Sequence, residues 1–252
     1  MKTLMLAALH SGAGKTTVTC ALLAALQQRG LEIRAFKCGP DYIDPMFHTR
    51  VLGIPSRNLD LFLQGESGVR STLAHSDGQF ALLEGAMGYY DGIGGTDAAS
   101  AWAVADATHT PVVLVLRPRG TALTLAAQVR GLQSFRPDSH LAGLLLNDCR
   151  PSLASLLAPL LERETGLPVL GALPPTPEAQ FPSRHLGLWT AEEIADLNDR
   201  CTALAARLEE YADLDALLSL AADIPASAPV ARPSPPCCRI AVARDEAFCF
   251  YY

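Results

Sequence analysis

Residues 2–28 constrain the fold more than any other stretch of this chain. Lys2–Leu9 (KTLMLAAL) is an apolar run of strand length, and His10-Ser11-Gly12-Ala13-Gly14-Lys15-Thr16-Thr17 follows it directly. Val18–Gln28 is then rich in Ala and Leu and reads as a helix. A strand, a glycine-containing turn, Lys-Thr and a helix start are the parts of a phosphate-binding loop. Glycines let the backbone curl so that several N–H groups converge on one anion, and the following helix turns its positive end toward the same anion. Lys15 adds a full charge, and the Thr16 hydroxyl is a hard oxygen donor suited to Mg²⁺. Gly12, Gly14, Lys15, Thr16 and Thr17 are therefore the candidate nucleotide contacts. The usual pattern has a further glycine at the position that Leu9 holds here.

With 252 residues there is room for one large α/β domain, or one domain and a fragment of another. Hydrophobic residues make up 49% of the chain, enough for a substantial core. A formal charge of −6 argues against general nucleic-acid binding, which needs a basic surface. No apolar run approaches the ~18 residues of a membrane span. The start also lacks the apolar stretch and cleavage site of a signal peptide. The seven cysteines are odd in number and form no C-x-x-C pair. They read as reduced thiols of a cytoplasmic protein without structural zinc.

Strand-like and helix-like segments alternate from Leu31 onward. The expected strands are Leu31–Lys37, Gln79–Leu83, Pro111–Leu116, Leu141–Leu146 and Pro168–Leu173. The expected helices are Glu66–His75, Thr96–Thr108, Thr121–Phe135 and Pro151–Thr165, with Glu192–Tyr211 and Asp213–Ala222 after them. Residues 38–60 read as a long irregular loop. Such alternation of apolar strands with helices predicts a doubly wound, mostly parallel sheet, whose ligands bind at the carboxyl ends of the strands. The loop at 10–17, Lys37–Asp44, Glu84–Asp91, Arg117–Gly120 and Asn147 all fall on that rim. Glu84 ends an apolar strand, where a buried carboxylate needs a cation to offset its desolvation. It is a candidate Mg²⁺ ligand with Thr16 and Asp41. Residues 223–238 (DIPASAPVARPSPPCC) form a Pro- and Ala-rich linker. Arg239–Ala243 reads as the first strand of a second domain that is cut off at 252, which divides the chain into 1–222, 223–238 and 239–252.

Four blocks carry a family resemblance: S-G-x-G-K-T-T at 11–17, K-C-G-P-D-Y-I-D-P at 37–45, S-R-N-L-D at 56–60 and E-G-A-M-G-Y-Y-D-G at 84–92. Together they resemble the cobyrinic and hydrogenobyrinic acid a,c-diamide synthases. That family groups with dethiobiotin synthetase among phosphate-loop proteins that lack the first glycine. R-I-A-V-A-R-D-E-A-F-C-F-Y-Y at 239–252 is similar to the start of the family's class I glutamine amidotransferase domain. The resemblance implies a ligase that uses ATP and Mg²⁺ to phosphorylate the a and c acetate carboxylates of a corrinoid. Ammonia, free or from glutamine, then displaces the phosphate. The glutaminase nucleophile would lie beyond residue 252, and a homodimer is consistent with the family. Carried onto this chain, the resemblance implies catalytic roles for Lys37, Asp44 and Asp91. It implies substrate contacts at Tyr42, Arg57, Asp60 and Tyr90, and an adenine contact at Asn147. His48 reads as a loop-packing residue. The rival readings are cobyric acid synthase, a dethiobiotin-type enzyme and a ParA/MinD-like switch ATPase. The last carries a lysine where this chain has His10, and works with a membrane or DNA.

Overall fold

The computed structural model describes residues 1–179, 196–224, 238–245 and 248. Seven parallel strands form one sheet in the order β3-β2-β4-β1-β5-β6-β7. They are β1 (Lys2–Ala8), β2 (Ile33–Cys38), β3 (Ser56–Leu59), β4 (Phe80–Glu84), β5 (Val112–Leu116), β6 (Leu141–Asn147) and β7 (Val169–Leu173). A short strand β8 (Ala222–Asp223) adds antiparallel to the start of β1. The helices are α1 (Lys15–Gln28), α2 (Ile43–Met46), α3 (Leu61–Ala74), α4 (Ala101–Thr108), α5 (Leu123–Phe135), α6 (Pro151–Thr165), α7 (Leu197–Tyr211) and α8 (Leu214–Ser219).

The strands are apolar throughout because both faces of the sheet are covered, and their period of two sorts side chains between two cores. Leu4, Leu6 and Ala8 of β1 join Leu82 of β4 under α1, α7 and α8. Met5 and Ala7 join Ala81 and Leu83 under α3, α4, α5 and α6. The doubly wound parallel sheet expected from the alternation is thus the fold. The chain leaves β1 toward β2 on one side and later crosses to β5 on the other, so the carboxyl end of β1 lies at the switch point where such sheets bind ligands.

Several boundaries differ from expectation; α8 ends at Ser219, and Ala222 and Asp223, expected as a helix end and the linker start, form β8. Residues 38–60 are not an irregular loop: they hold α2, a π-type turn at Phe47–Val51 and the edge strand β3, which runs parallel to β2. The four residues of β3 (SRNL) are short and polar, as suits an edge strand, and show no periodicity to read. Helix α3 begins at Leu61 rather than Glu66. Asp60 caps it, and Gly65 breaks its regularity at φ 66°, which hides the first turn from a pattern search. Helix α4 begins at Ala101 rather than Thr96, with Ser100 accepting from Ala103 N as its cap. Finally, 239–243 forms no strand: Ile240 and Val242 are exposed, with no partner strand among the described residues. The linker core at 225–237 and the expected helix start at 192–195 lie outside the described residues.

Candidate functional site

The loop between β1 and α1 is held open by its glycines. Gly14 sits at φ 92° as the residue before α1, and a Cβ there would lie 2.0 Å from Asn147 Nδ2. Only glycine satisfies both the left-handed backbone and the contact. The first turn of α1 has no side-chain cap and no acidic residue, so its leading N–H groups remain for an anion. The loop is braced from the neighbouring strand ends. Asn147, at the end of β6, donates from Nδ2 to Ala13 O at 2.8 Å. Arg117, after β5, donates to Gly12 O at 3.3 Å and is itself paired with Asp148. The structure therefore gives Asn147 a supporting contact beneath the loop. Thr17 is half-buried in the first turn of α1.

Register then brings the charged residues to this loop. Lys37 of β2 lies directly across from Glu84 of β4, and both point to the α1 side because they share the parity of Ala35 and Leu82. Thr16, in the first turn of α1, donates from Oγ1 to Glu84 Oε1 at 2.7 Å. Lys37 Nζ is 3.0 Å from the same oxygen, 2.7 Å from Asp44 Oδ2 and 4.0 Å from Asp41 Oδ2. It also donates to Gly85 O at 3.3 Å. Lys37, Asp44 and Glu84 are all buried. Burial pulls the Lys37 ammonium down, but the fields of Glu84, Asp44 and Asp41 outweigh it and hold the group above its ordinary value. Burial pushes the Glu84 carboxyl up, but Lys37, the facing His48 and the Thr16 hydroxyl together outweigh it and keep the group well below the usual carboxylate range.

Lys15 is buried too, and donates from Nζ to Met87 O in the loop after β4. Burial, followed by the charge of Lys37, lowers its pKa to about 8. Met87 holds a positive φ of 49°, and the next residues are tightly folded. Asp91 Oδ2 accepts from Gly88 N at 3.0 Å, and a Cβ on Gly88 would lie 2.4 Å from that oxygen. Asp91 is exposed at the loop's outer side.

Other expected site residues have structural contacts. Asp41 Oδ1 accepts from Ile43 N at 2.9 Å and Asp44 N at 3.2 Å, which starts α2, while Tyr42 is exposed beside it. Asp60, expected as a substrate contact, is buried and caps α3 by accepting from Phe62 N at 2.8 Å and Leu63 N at 3.3 Å. Tyr90, also expected to touch substrate, donates to Leu132 O at 2.8 Å and packs between Tyr89, Trp102 and Phe135. The start of α3 thus engages Asp60 Oδ1, while Oδ2 is buried without a hydrogen bond among the described residues, and Leu132 O engages the Tyr90 hydroxyl. Arg57 is exposed on the edge strand.

Two residues that sequence reasoning set aside or passed over do join the cluster. His48 is fully buried, with Nδ1 3.0 Å from Ser56 Oγ and Nε2 3.4 Å from Glu84 Oε2. Its position four residues after Asp44 was the available signal, since one helical turn brings such residues to the same side. Ser56 opens the S-R-N-L-D block, but nothing in that block pointed to a contact with His48.

The donor set fits Mg²⁺ beside a polyphosphate. Thr16 and Glu84 supply hard oxygens next to the open loop, and Glu84 Oε2 is buried without a hydrogen bond among the described residues. No group of three or more His, Cys, Asp or Glu among the described residues makes a metal site unaided. Mg²⁺ on a nucleotide needs none, because the phosphates and waters complete its shell.

Comparisons with known proteins agree with this geometry. Residues 4–188 match the family model described as "CobQ/CobB/MinD/ParA nucleotide binding domain". A Clostridium acetobutylicum protein named cobyrinate a,c-diamide synthase is 40% identical over 257 residues, covering 100% of this chain and 58% of that protein. One of the same name from Gloeobacter violaceus is 44% identical over 256 residues, covering 99% of this chain and 56% of that protein. The chain therefore spans less than two thirds of these relatives. Among solved structures, chloroplast FtsY from Physcomitrella patens superposes with a TM-score of 0.51 at 16% identity, over 69% of this chain and 59% of that one. That likeness concerns the fold. No helix among the described residues is long and apolar enough to cross a membrane.

Proposed function

Because the chain belongs to the CobQ/CobB/MinD/ParA nucleotide-binding domain family, we propose that it activates the a and c acetate carboxylates of cobyrinic acid for amidation, at the expense of ATP. The observation that carries this reading is the 2.7 Å contact from Thr16 to Glu84, which joins the phosphate loop to the charged cluster at the ends of β2 and β4. The name shared by the relatives supports the choice of acceptor.

A carboxylate does not exchange its oxygen for nitrogen at neutral pH, so the oxygen must first become a leaving group. The substrate carboxylate oxygen forms a bond to the γ-phosphorus of ATP, and the bond from that phosphorus to the β–γ bridging oxygen breaks, releasing ADP. Ammonia then gives its lone pair to the acyl carbon, the carbon–oxygen bond to phosphate breaks, and one proton leaves the nitrogen. The protein's part is positioning and charge neutralisation. Backbone N–H groups of residues 13–17 hold the phosphates, with Gly12 and Gly14 shaping the loop. Lys15 leaves Met87 O for the outer phosphates. Thr16 and Glu84 would hold Mg²⁺, with Asp41 beside them; the ion supplies charge neutralisation on the transferring group. Lys37, kept cationic by Asp44 and Glu84, neutralises the transferring phosphoryl or the substrate carboxylate. Asp91, exposed and not ion-paired to Lys37, suits the incoming nitrogen and its proton better than buried Asp44. Tyr42 and Arg57 flank the corrinoid. The nitrogen donor in this proposal is ammonia, free or released from glutamine.

The test is ADP release, together with the small mass decrease that replacing OH by NH₂ produces, in the presence of ATP, MgCl₂, ammonium chloride and cobyrinic acid. Release that depends on the corrinoid, with products one and two amides richer, supports the proposal. Hydrolysis indifferent to the corrinoid and rising with protein concentration would instead identify a switch ATPase. Running hydrogenobyrinic acid in parallel decides whether the acceptor must carry cobalt.

A further inference from the structure

We infer that His48 is a positioning residue that fixes the direction in which Glu84 presents its carboxylate to a metal-bound nucleotide. The inference rests on the nucleotide and metal part of the reading above. Three strands contribute to the arrangement from one face. Ser56 of β3 pairs with Ala35 of β2, and Lys37, two residues on, pairs with Glu84 of β4, so all lie on the α1 side of the sheet. The turn after α2 carries the imidazole into the space between Ser56 and Glu84. Nδ1 lies 3.0 Å from Ser56 Oγ, and Nε2 faces Glu84 Oε2 at 3.4 Å. Neither Nε2 nor Oε2 makes a hydrogen bond among the described residues.

One tautomer matches a donor to an acceptor at each step from Ser56 to Glu84. In that tautomer the Ser56 hydroxyl donates to Nδ1 and the ring proton is on Nε2, the atom that faces Glu84 Oε2. A buried polar atom left alone is destabilising, which favours closure of the remaining gap. The other oxygen of Glu84 is already held by Thr16 and Lys37. The terminal torsion of a glutamate is broad and roughly two-fold, so fixing the second oxygen stops the carboxylate from turning. Partners behind a metal-facing carboxylate typically change metal affinity or activity by about 10–100-fold. A residue that merely fills space would need no ring nitrogen toward Glu84.

The experiment is calorimetric titration of the chain with the non-hydrolysable nucleotide AMP-PNP, once with MgCl₂ and once with EDTA. Wild-type protein is expected to bind more tightly with Mg²⁺. His48→Ala is expected to lose about tenfold or more of that gain, with its affinity in EDTA unchanged. His48→Gln, which can still donate toward Glu84, recovers part of the gain. Ser56→Ala leaves the imidazole but removes the donor that selects its tautomer, and is expected to lose a smaller part. An undiminished Mg²⁺ gain in His48→Ala, or an equal loss with and without Mg²⁺, overturns the assignment. If His48→Ala does not fold, Ser56→Ala decides, and an undiminished gain there overturns it. No corrinoid enters the measurement. A chain that behaves as expected here but does not amidate cobyrinic acid removes the proposed function and leaves the role of His48 standing.

Discussion

The two flanks of the strand-end rim solve different problems. On the β1, β5 and β6 side the phosphate loop is made of backbone, and its supports are single hydrogen bonds to carbonyls from Asn147 and Arg117. On the β2, β3 and β4 side the working parts are buried charges, with Lys37 between Asp44 and Glu84 and His48 behind. Backbone donors are pre-paid by the fold and tolerate many neighbours. A buried ion pair stands only while each member keeps its partner. The nucleotide flank should therefore degrade gradually under substitution, and the acceptor flank abruptly.

The largest effect tests the point where the flanks meet. Lys15→Ala should lower corrinoid-dependent ADP release by at least roughly 10²–10³-fold, the scale of losing one donor to a developing charge. Retained turnover would mean that the loop does not serve a transferred phosphate. Next is Lys37→Met, which strands Glu84 and Asp44 and should destabilise the chain by about 3–5 kcal/mol in chemical denaturation. Adding Glu84→Gln to it should recover part of the loss, whereas additive losses would show that the two residues do not act as a pair. Asn147→Ala, on the other flank, should cost only about 1–3 kcal/mol and weaken nucleotide binding by about tenfold in the same titration. A loss as steep as that of Lys37→Met would erase the contrast between the flanks.

Titration of Lys15 offers a smaller, signed effect in the nucleotide-free and metal-free protein. Its pKa of about 8 lies below the ordinary 10.5, so the unfolded chain holds the proton more tightly between those values. Stability should then rise with pH from about 8 to 10.5 through this group, and Lys15→Met should remove that rise in pH-dependent melting. Lys37 has the opposite sign: its raised pKa gives stability that is complete below 10.5 and is lost only as pH climbs through its higher folded value. The smallest effect is expected for Tyr90→Phe, which loses one hydrogen bond to Leu132 O, about 1 kcal/mol, and leaves turnover unchanged. A fall in turnover would return Tyr90 to the substrate face.

The sheet, its parallel sense and the phosphate loop were legible in the sequence because they depend on local patterns: apolar runs of strand length, helix periodicity and glycines before Lys15-Thr16. Lys37, Asp44 and Glu84 were legible as rim residues for the same reason, since each sits where a strand or its loop ends. Strand β3 was not legible. Its pairing with β2 is non-local, and four mostly polar residues have no pattern of their own. The fates of Asp60 and Tyr90 were hidden likewise. A capping carboxylate and a substrate-binding one look the same in one dimension, as do a packed tyrosine and a ligand-facing one.

The composition and order of residues were enough to specify a doubly wound sheet with an anion site at the start of α1, because burial of both strand faces and a glycine turn before a helix are demands each segment meets alone. They were not enough to say which charges touch. That followed from register, which sets Lys37 across from Glu84, turns both toward Thr16 and brings His48 and Ser56 behind them. Register is a relation between strands far apart in the chain, and a shift of one residue in β2, β3 or β4 would send Lys37, Ser56 or Glu84 to the opposite face.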